Sequence, residues 1–119
     1  MSKQSIVSLA AAARIGSTTT SSAVDISDFT GLATLVMNSS ATEGAGMTSD
    51  VKITHCDTSG GSYTDAGIAF TQVTNAAASF QTQVFSVDGL KKYIKVVTTL
   101  AGSSPFVTRS VELVGNLAL

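Results

Sequence analysis

Few residue types able to do chemistry occur in this chain, and two of them are adjacent. His55 is its only histidine and Cys56 its only cysteine. Any Ser/His/Asp or Cys/His nucleophilic arrangement would have to pass through His55, because the nucleophile needs a base within hydrogen-bond reach. Residues 50–56 alternate, with Val51, Ile53 and His55 on one side and Lys52, Thr54 and Cys56 on the other. Neighbours on a strand point to opposite faces, so His55 and Cys56 cannot exchange a proton there. His55 therefore reads as a half-buried or interface histidine. The sequence predicts no enzyme and no catalytic residue.

Metal and phosphate chemistry have equally little to work with. Zinc sites draw on several Cys and His ligands, and this chain has one of each. Residues 57–65 (DTSGGSYTD) supply oxygens and glycines but lack the acidic count and closing glutamate of a calcium loop; they read as a hairpin turn. No glycine-rich phosphate motif follows a strand and opens a helix. No cofactor and no metal are therefore expected. Carbohydrate binding would present aromatic faces, for which only Tyr63 and Tyr93 are candidates beyond phenylalanine.

Net charge is −1, which gives no electrostatic reason to expect nucleic acid or an anionic membrane as partner. Lys91, Lys92 and Lys95 form the one local basic cluster, and Arg109 lies in the following run. A protein partner with an acidic surface would meet its complement there. The single cysteine excludes an internal disulfide, and a reducing compartment is the simpler assumption. The start of the chain has Lys3 and a short apolar stretch. Ser8 breaks that stretch, which barely reaches the length of a secretory signal and would include the cleavage site itself, so no signal is expected, and no run reaches the ~18 apolar residues of a membrane span.

The elements around these residues are strands. The 119 residues fit one domain, 44% of them are hydrophobic and 13% charged. Apolar alternation or β-rich composition marks residues 23–27, 32–38, 50–56, 68–73, 80–87, 92–100 and 106–114. Turn residues separate them, including Gly60-Gly61 and Asp88-Gly89. Residues 32–38 and 80–87 are apolar on both sides, the pattern of a central strand covered on each face or of a surface held for a partner. The last two runs flank Gly102 and Pro105 and read as a C-terminal hairpin. With no βαβ alternation, the expectation is an all-β, antiparallel β-sandwich or jelly roll of seven to eight strands. It divides into residues 1–22, an N-terminal arm or first strand, and residues 23–119, the sandwich domain. Residues 8–14 are also compatible with two helical turns, since alanine favours helix.

Three blocks carry a family resemblance. They are the Asp25, Phe29, Gly31, Leu32 segment, the DVKI strand with its Ser59-Gly60-Gly61 turn, and the LKKYIKVV run from Leu90. Together with their surroundings, across residues 9–115, they resemble the capsid cement, or head decoration, proteins of tailed bacteriophages. His55 and Cys56 depart from the pattern, where polar or acidic residues are more usual. The resemblance implies a structural protein that binds the outside of a phage head and stabilises contacts between capsomers. Its partners would be the major capsid protein and its own copies, as a homodimer or homotrimer. It would be made in the host cytoplasm and reside on the virion. The alternative is another virion component, a tail or fibre module that binds the host or a glycan. Candidate interface residues are Ile6, Val7, Leu9 and Arg14 in the arm, and Lys91, Lys92, Lys95 and Arg109 near the C-terminus.

Overall fold

The computed structural model describes residues 3–117. They form two antiparallel sheets stacked as a β-sandwich with jelly-roll-like connections. The strands are β1 (Lys3–Ile15), β2 (Thr19–Thr20), β3 (Val24–Asp25), β4 (Phe29–Ser39), β5 (Thr48–Cys56), β6 (Thr64–Ala69), β7 (Val73–Thr74), β8 (Ser79–Ser86), β9 (Tyr93–Ala101) and β10 (Val107–Leu117). Three of these ten are two-residue pairings, so seven strands carry the architecture. One sheet, here sheet A, has the order β1-β10-β4-β8. The other, sheet B, has the order β2-β9-β5-β6, with β3 also on β9 and β7 also on β5.

Alternation decides which side chains enter the space between the sheets. Sheet A contributes Leu35, Met37, Val111 and Leu113, and sheet B contributes Val51, Ile53, Ile94 and Val96, all almost fully buried. Ile26, Phe29 and Val87 belong to the same cluster. The Asp88-Gly89 turn is a single 3-10 turn, Val87–Gly89, that carries the chain from β8 in sheet A to β9 in sheet B. Among the described residues no helix is long and apolar enough to cross a membrane.

Two sequence expectations are revised. The C-terminal runs do not pair as a hairpin: β9 lies between β5 and β2/β3 in sheet B, and β10 between β1 and β4 in sheet A. Both sides of each strand are already occupied, so the break between them crosses from sheet to sheet. Gly102 (φ 115) and Ser104 (φ 53) take the left-handed backbone that this crossing needs. Alternation looks the same in a hairpin and in a crossing, because both bury every second residue. The hairpin that does form is β5–β6, around Gly60-Gly61.

The other revision concerns residues 8–14, which are extended rather than helical and form the middle of β1. β1 pairs with β10 from Lys3↔Leu117 to Ile15↔Val107. Four consecutive alanines favour helix only weakly in so short a segment. Pairing with β10 satisfies the backbone and lets Leu9 and Ala10 enter the core.

Candidate interaction faces

The residues singled out from the sequence fall in three places. Ile6 is 69% exposed, on the outer face of sheet A. Val7 points the other way and packs against the core. Leu9, at 5% exposure, is a core residue rather than a free contact; alternation of a strand lying flat on the sandwich forces this. Arg14 is exposed at the far end of β1. Its guanidinium stacks 3.9 Å from the Phe106 ring centroid and makes a bidentate pair with Glu43, at 2.8 and 2.9 Å. That pair holds the Glu43 carboxyl below its ordinary pKa.

The lysines gather at the start of β9. Lys92 Nζ lies 3.9 Å from Asp25 Oδ2, and Lys95 Nζ sits 4.3 Å over the Tyr63 ring. Lys91 is exposed, and its backbone N–H donates to His55 Nδ1 at 3.3 Å. No salt bridge to the Lys91 side chain occurs among the described residues. His55 and Cys56 both belong to β5. The Thr58 backbone N–H is the main cause holding the Cys56 thiol below its ordinary pKa. Among the described residues no group of three or more His, Cys, Asp or Glu is placed to hold a metal.

Arg109 does not join this cluster. It lies on the inward face of β10, with 6% exposure. Nε donates to Thr98 Oγ1 at 3.0 Å, Nη1 to the Ala11 carbonyl at 3.3 Å and Nη2 to Thr19 Oγ1 at 3.3 Å. Burial pushes its pKa down. The expectation of a basic surface residue fails because the same alternation that buries Val107 and Val111 also turns Arg109 inward. Its charge is spent tying β1, β2, β9 and β10 together.

The most prominent exposed apolar feature is the outer face of sheet A. Among the described residues, the four large hydrophobic residues left exposed, Ile6, Leu32, Phe80 and Val84, all lie there at 65–69% exposure. Strand register aligns them into rows. Ile6, Val114, Thr34 and Val84 stand side by side across the whole sheet; Ser8, Glu112, Val36 and Thr82 form the next row, and Ser110, Asn38 and Phe80 a third. An open cleft of about 470 Å³ runs beside Phe80, over Ala12, Asn38 and Ser110. Glu112 sits within this face, with Ser110 Oγ donating to its Oε1 at 3.3 Å. Its Oε2 is buried without a hydrogen-bond partner among the described residues.

Leu32, Phe80 and Val84 are not among the interface candidates that the sequence offers, although both of their strands read as apolar on two faces. β4 is central in the plane of sheet A, yet its outer side has no covering layer among the described residues. Periodicity shows that a strand has two apolar faces, and it does not show whether the chain itself covers both.

No family model and no curated protein matches this chain. Solved structures do. The VP2 chain of the infectious bursal disease virus subviral particle superposes on 98% of this chain at a TM-score of 0.62 and 15% identity. The corresponding chain of the Gx strain of that virus gives 0.60 at 13% identity. This chain spans about one third of those chains, 32% in each case. The SPBc2 prophage-derived protein YomS matches at a TM-score of 0.53 and 16% identity, covering 98% of this chain and 95% of YomS. At such identities the likeness defines the fold: a jelly-roll-like β-sandwich of the kind found in virus-particle and prophage proteins.

Proposed function

We propose that this chain is a structural protein of a tailed-phage head, which binds the outside of the capsid and stabilises contacts between capsomers. The observation that carries this reading is the open apolar face of sheet A. Ile6, Leu32, Phe80 and Val84 are exposed on this one face, in rows that also contain Val36 and Val114, and exposed apolar groups gathered on one face mark interaction surfaces. A capsid-binding role gives that face a permanent partner. The resemblance to head decoration proteins and the full-length likeness to a prophage protein support the same reading. The basic end at Lys91, Lys92 and Lys95 offers a second, electrostatic contact for an acidic capsid surface.

Co-sedimentation tests the proposal. Purified protein mixed with expanded capsids that lack it should pellet with them at a fixed stoichiometry, and Phe80→Ser with Val84→Ser should not. A protein missing from purified virions by mass spectrometry would sink the reading. A protein found in the tail, or one that binds cells or glycans without capsids, would replace it with host recognition.

A further inference from the structure

We propose that β8 is a self-pairing edge, through which two copies of this chain join across a two-fold axis into one continuous eight-stranded sheet. β8 (Ser79–Ser86) is an outer strand of sheet A, paired among the described residues on one side only, with β4. An unpaired edge is a row of free N–H and C=O groups, which proteins normally protect with charges, prolines, bulges or brevity. The other edges here all carry such protection. β1 has two register shifts against β10, and its sequence holds Lys3 and Arg14. β6 has a register shift, Asp65, and Gly67 at positive φ. β2, β3 and β7 are two residues long.

β8 has none of them. Its sequence, SFQTQVFS, contains no charge and no proline. It runs against β4 through eight consecutive pairs, Leu32↔Ser86 to Ser39↔Ser79, without a shift. It is therefore regular and about 27 Å long at 3.4 Å per residue. On its outer face it carries Phe80 and Val84, two of the four exposed large hydrophobics.

The strand is complementary to itself. In the antiparallel register that sets Thr82 opposite its own copy, each Phe80 meets the Val84 of the other chain on the outer face. Gln81, whose amide is already bonded to the Thr71 backbone and Ser79 Oγ, then lies opposite Gln83 on the inner face. The aromatic–aliphatic pairs stabilise the sheet, and no like charges are brought together. The even register keeps outer residues with outer residues, so the apolar faces of the two copies merge into one. A foreign strand would supply the same backbone bonds. The absence of charge on β8 gives it nothing with which to select such a strand, whereas a second copy closes the assembly and leaves only the protected β1 edges at its ends. The pairing needs only the fold, so it holds or fails apart from capsid binding. A contact confined to one strand is smaller than the ~800 Å² per partner of a standard interface, so dimerisation should depend on concentration.

Sedimentation of the full chain from about 5 to 500 μM, a range that brackets the micromolar Kd typical of a small interface, should show mass rising from monomer to dimer. Thr82→Lys, which places two ammonium groups face to face on the axis, should stay monomeric while keeping the circular dichroism spectrum. A wild-type chain that remains monomeric throughout the range overturns the proposal, as does a dimer or trimer that survives Thr82→Lys. Should that variant not fold, hydrogen exchange on the wild type decides. Alternate amides within residues 80–85, those facing away from β4, should gain protection with concentration. Equal exchange at both ends of the range would refute edge pairing even if the mass rises.

Discussion

The buried guanidinium of Arg109 yields the most quantitative prediction. It is 6% exposed, and its recorded partners are all neutral: Thr98 Oγ1, the Ala11 carbonyl and Thr19 Oγ1. Hydrogen bonds to a charged group contribute about 1.5–3 kcal/mol each. Withdrawing the charge from water costs several kcal/mol, so these terms nearly cancel. The cost of Arg109→Met, which keeps most of the stem's volume, is then set by what is left behind. Ala11 is exposed and Thr19 half-exposed, and both regain water. Thr98 is 0% exposed and loses the one partner recorded for its hydroxyl, at about 1–3 kcal/mol. Arg109→Met should therefore destabilise by ~1–3 kcal/mol, and Thr98→Val alone by a similar amount, since it takes the Thr98 Oγ1 acceptor away from a buried cationic N–H. The double variant should be markedly less unstable than the sum, with a coupling of about 2 kcal/mol. Urea unfolding of the four proteins measures this directly. A coupling below ~0.5 kcal/mol, the usual limit of additivity, would refute the view that these two side chains satisfy each other.

Three further outcomes follow from local geometry. A Cβ on Gly115 would lie 2.8 Å from Phe29 Cδ1 and 3.2 Å from the Ala33 Cβ, so Gly115→Val should cost about 1–3 kcal/mol by overpacking, read as a lowered urea midpoint with unchanged slope. The carboxyls of Asp25, Glu43 and Asp65 are each held below their ordinary values of 3.8, 4.5 and 3.8, mainly by bonds from Ser27, Arg14 and the Gly67 N–H respectively. Their contribution is complete above those ordinary values and is lost as pH falls through the lower folded ones. Tm should accordingly stay level from neutral pH down to about 5 and decline below about 4, and Glu43→Gln should make the decline shallower. Reversing Lys91 and Lys92 to Glu should weaken capsid binding at low ionic strength by tenfold or more, about 1.4 kcal/mol, while moving stability by less than ~0.5 kcal/mol. Binding unchanged in co-sedimentation would remove the basic end from the interface.

Residue order alone fixes the class of fold and which residues share a side of each long strand. Ile94, Val96 and Thr98, or Val107, Arg109 and Val111, alternate in a chain whose backbone turns each side chain over at every residue, so membership of a face is local information. The β5–β6 hairpin was legible for the same reason, because the glycine turn and the two strands are local.

Which strands meet depends on packing between distant parts of the chain. The break at Gly102–Pro105 fits a hairpin or a crossing equally well until β1, β4, β5 and the β2/β3 pairings occupy the hydrogen-bonding sides of β9 and β10. The candidate contacts divided along the same line. Ile6 was found on an open face, Leu9 and Arg109 turned into the core, and Leu32, Phe80 and Val84 emerged as exposed. Local alternation assigns a residue to one of two faces; whether that face is filled depends on what packs over it from distant parts of the chain. In sheet A the inner face is covered by sheet B, and the outer face has no covering layer among the described residues.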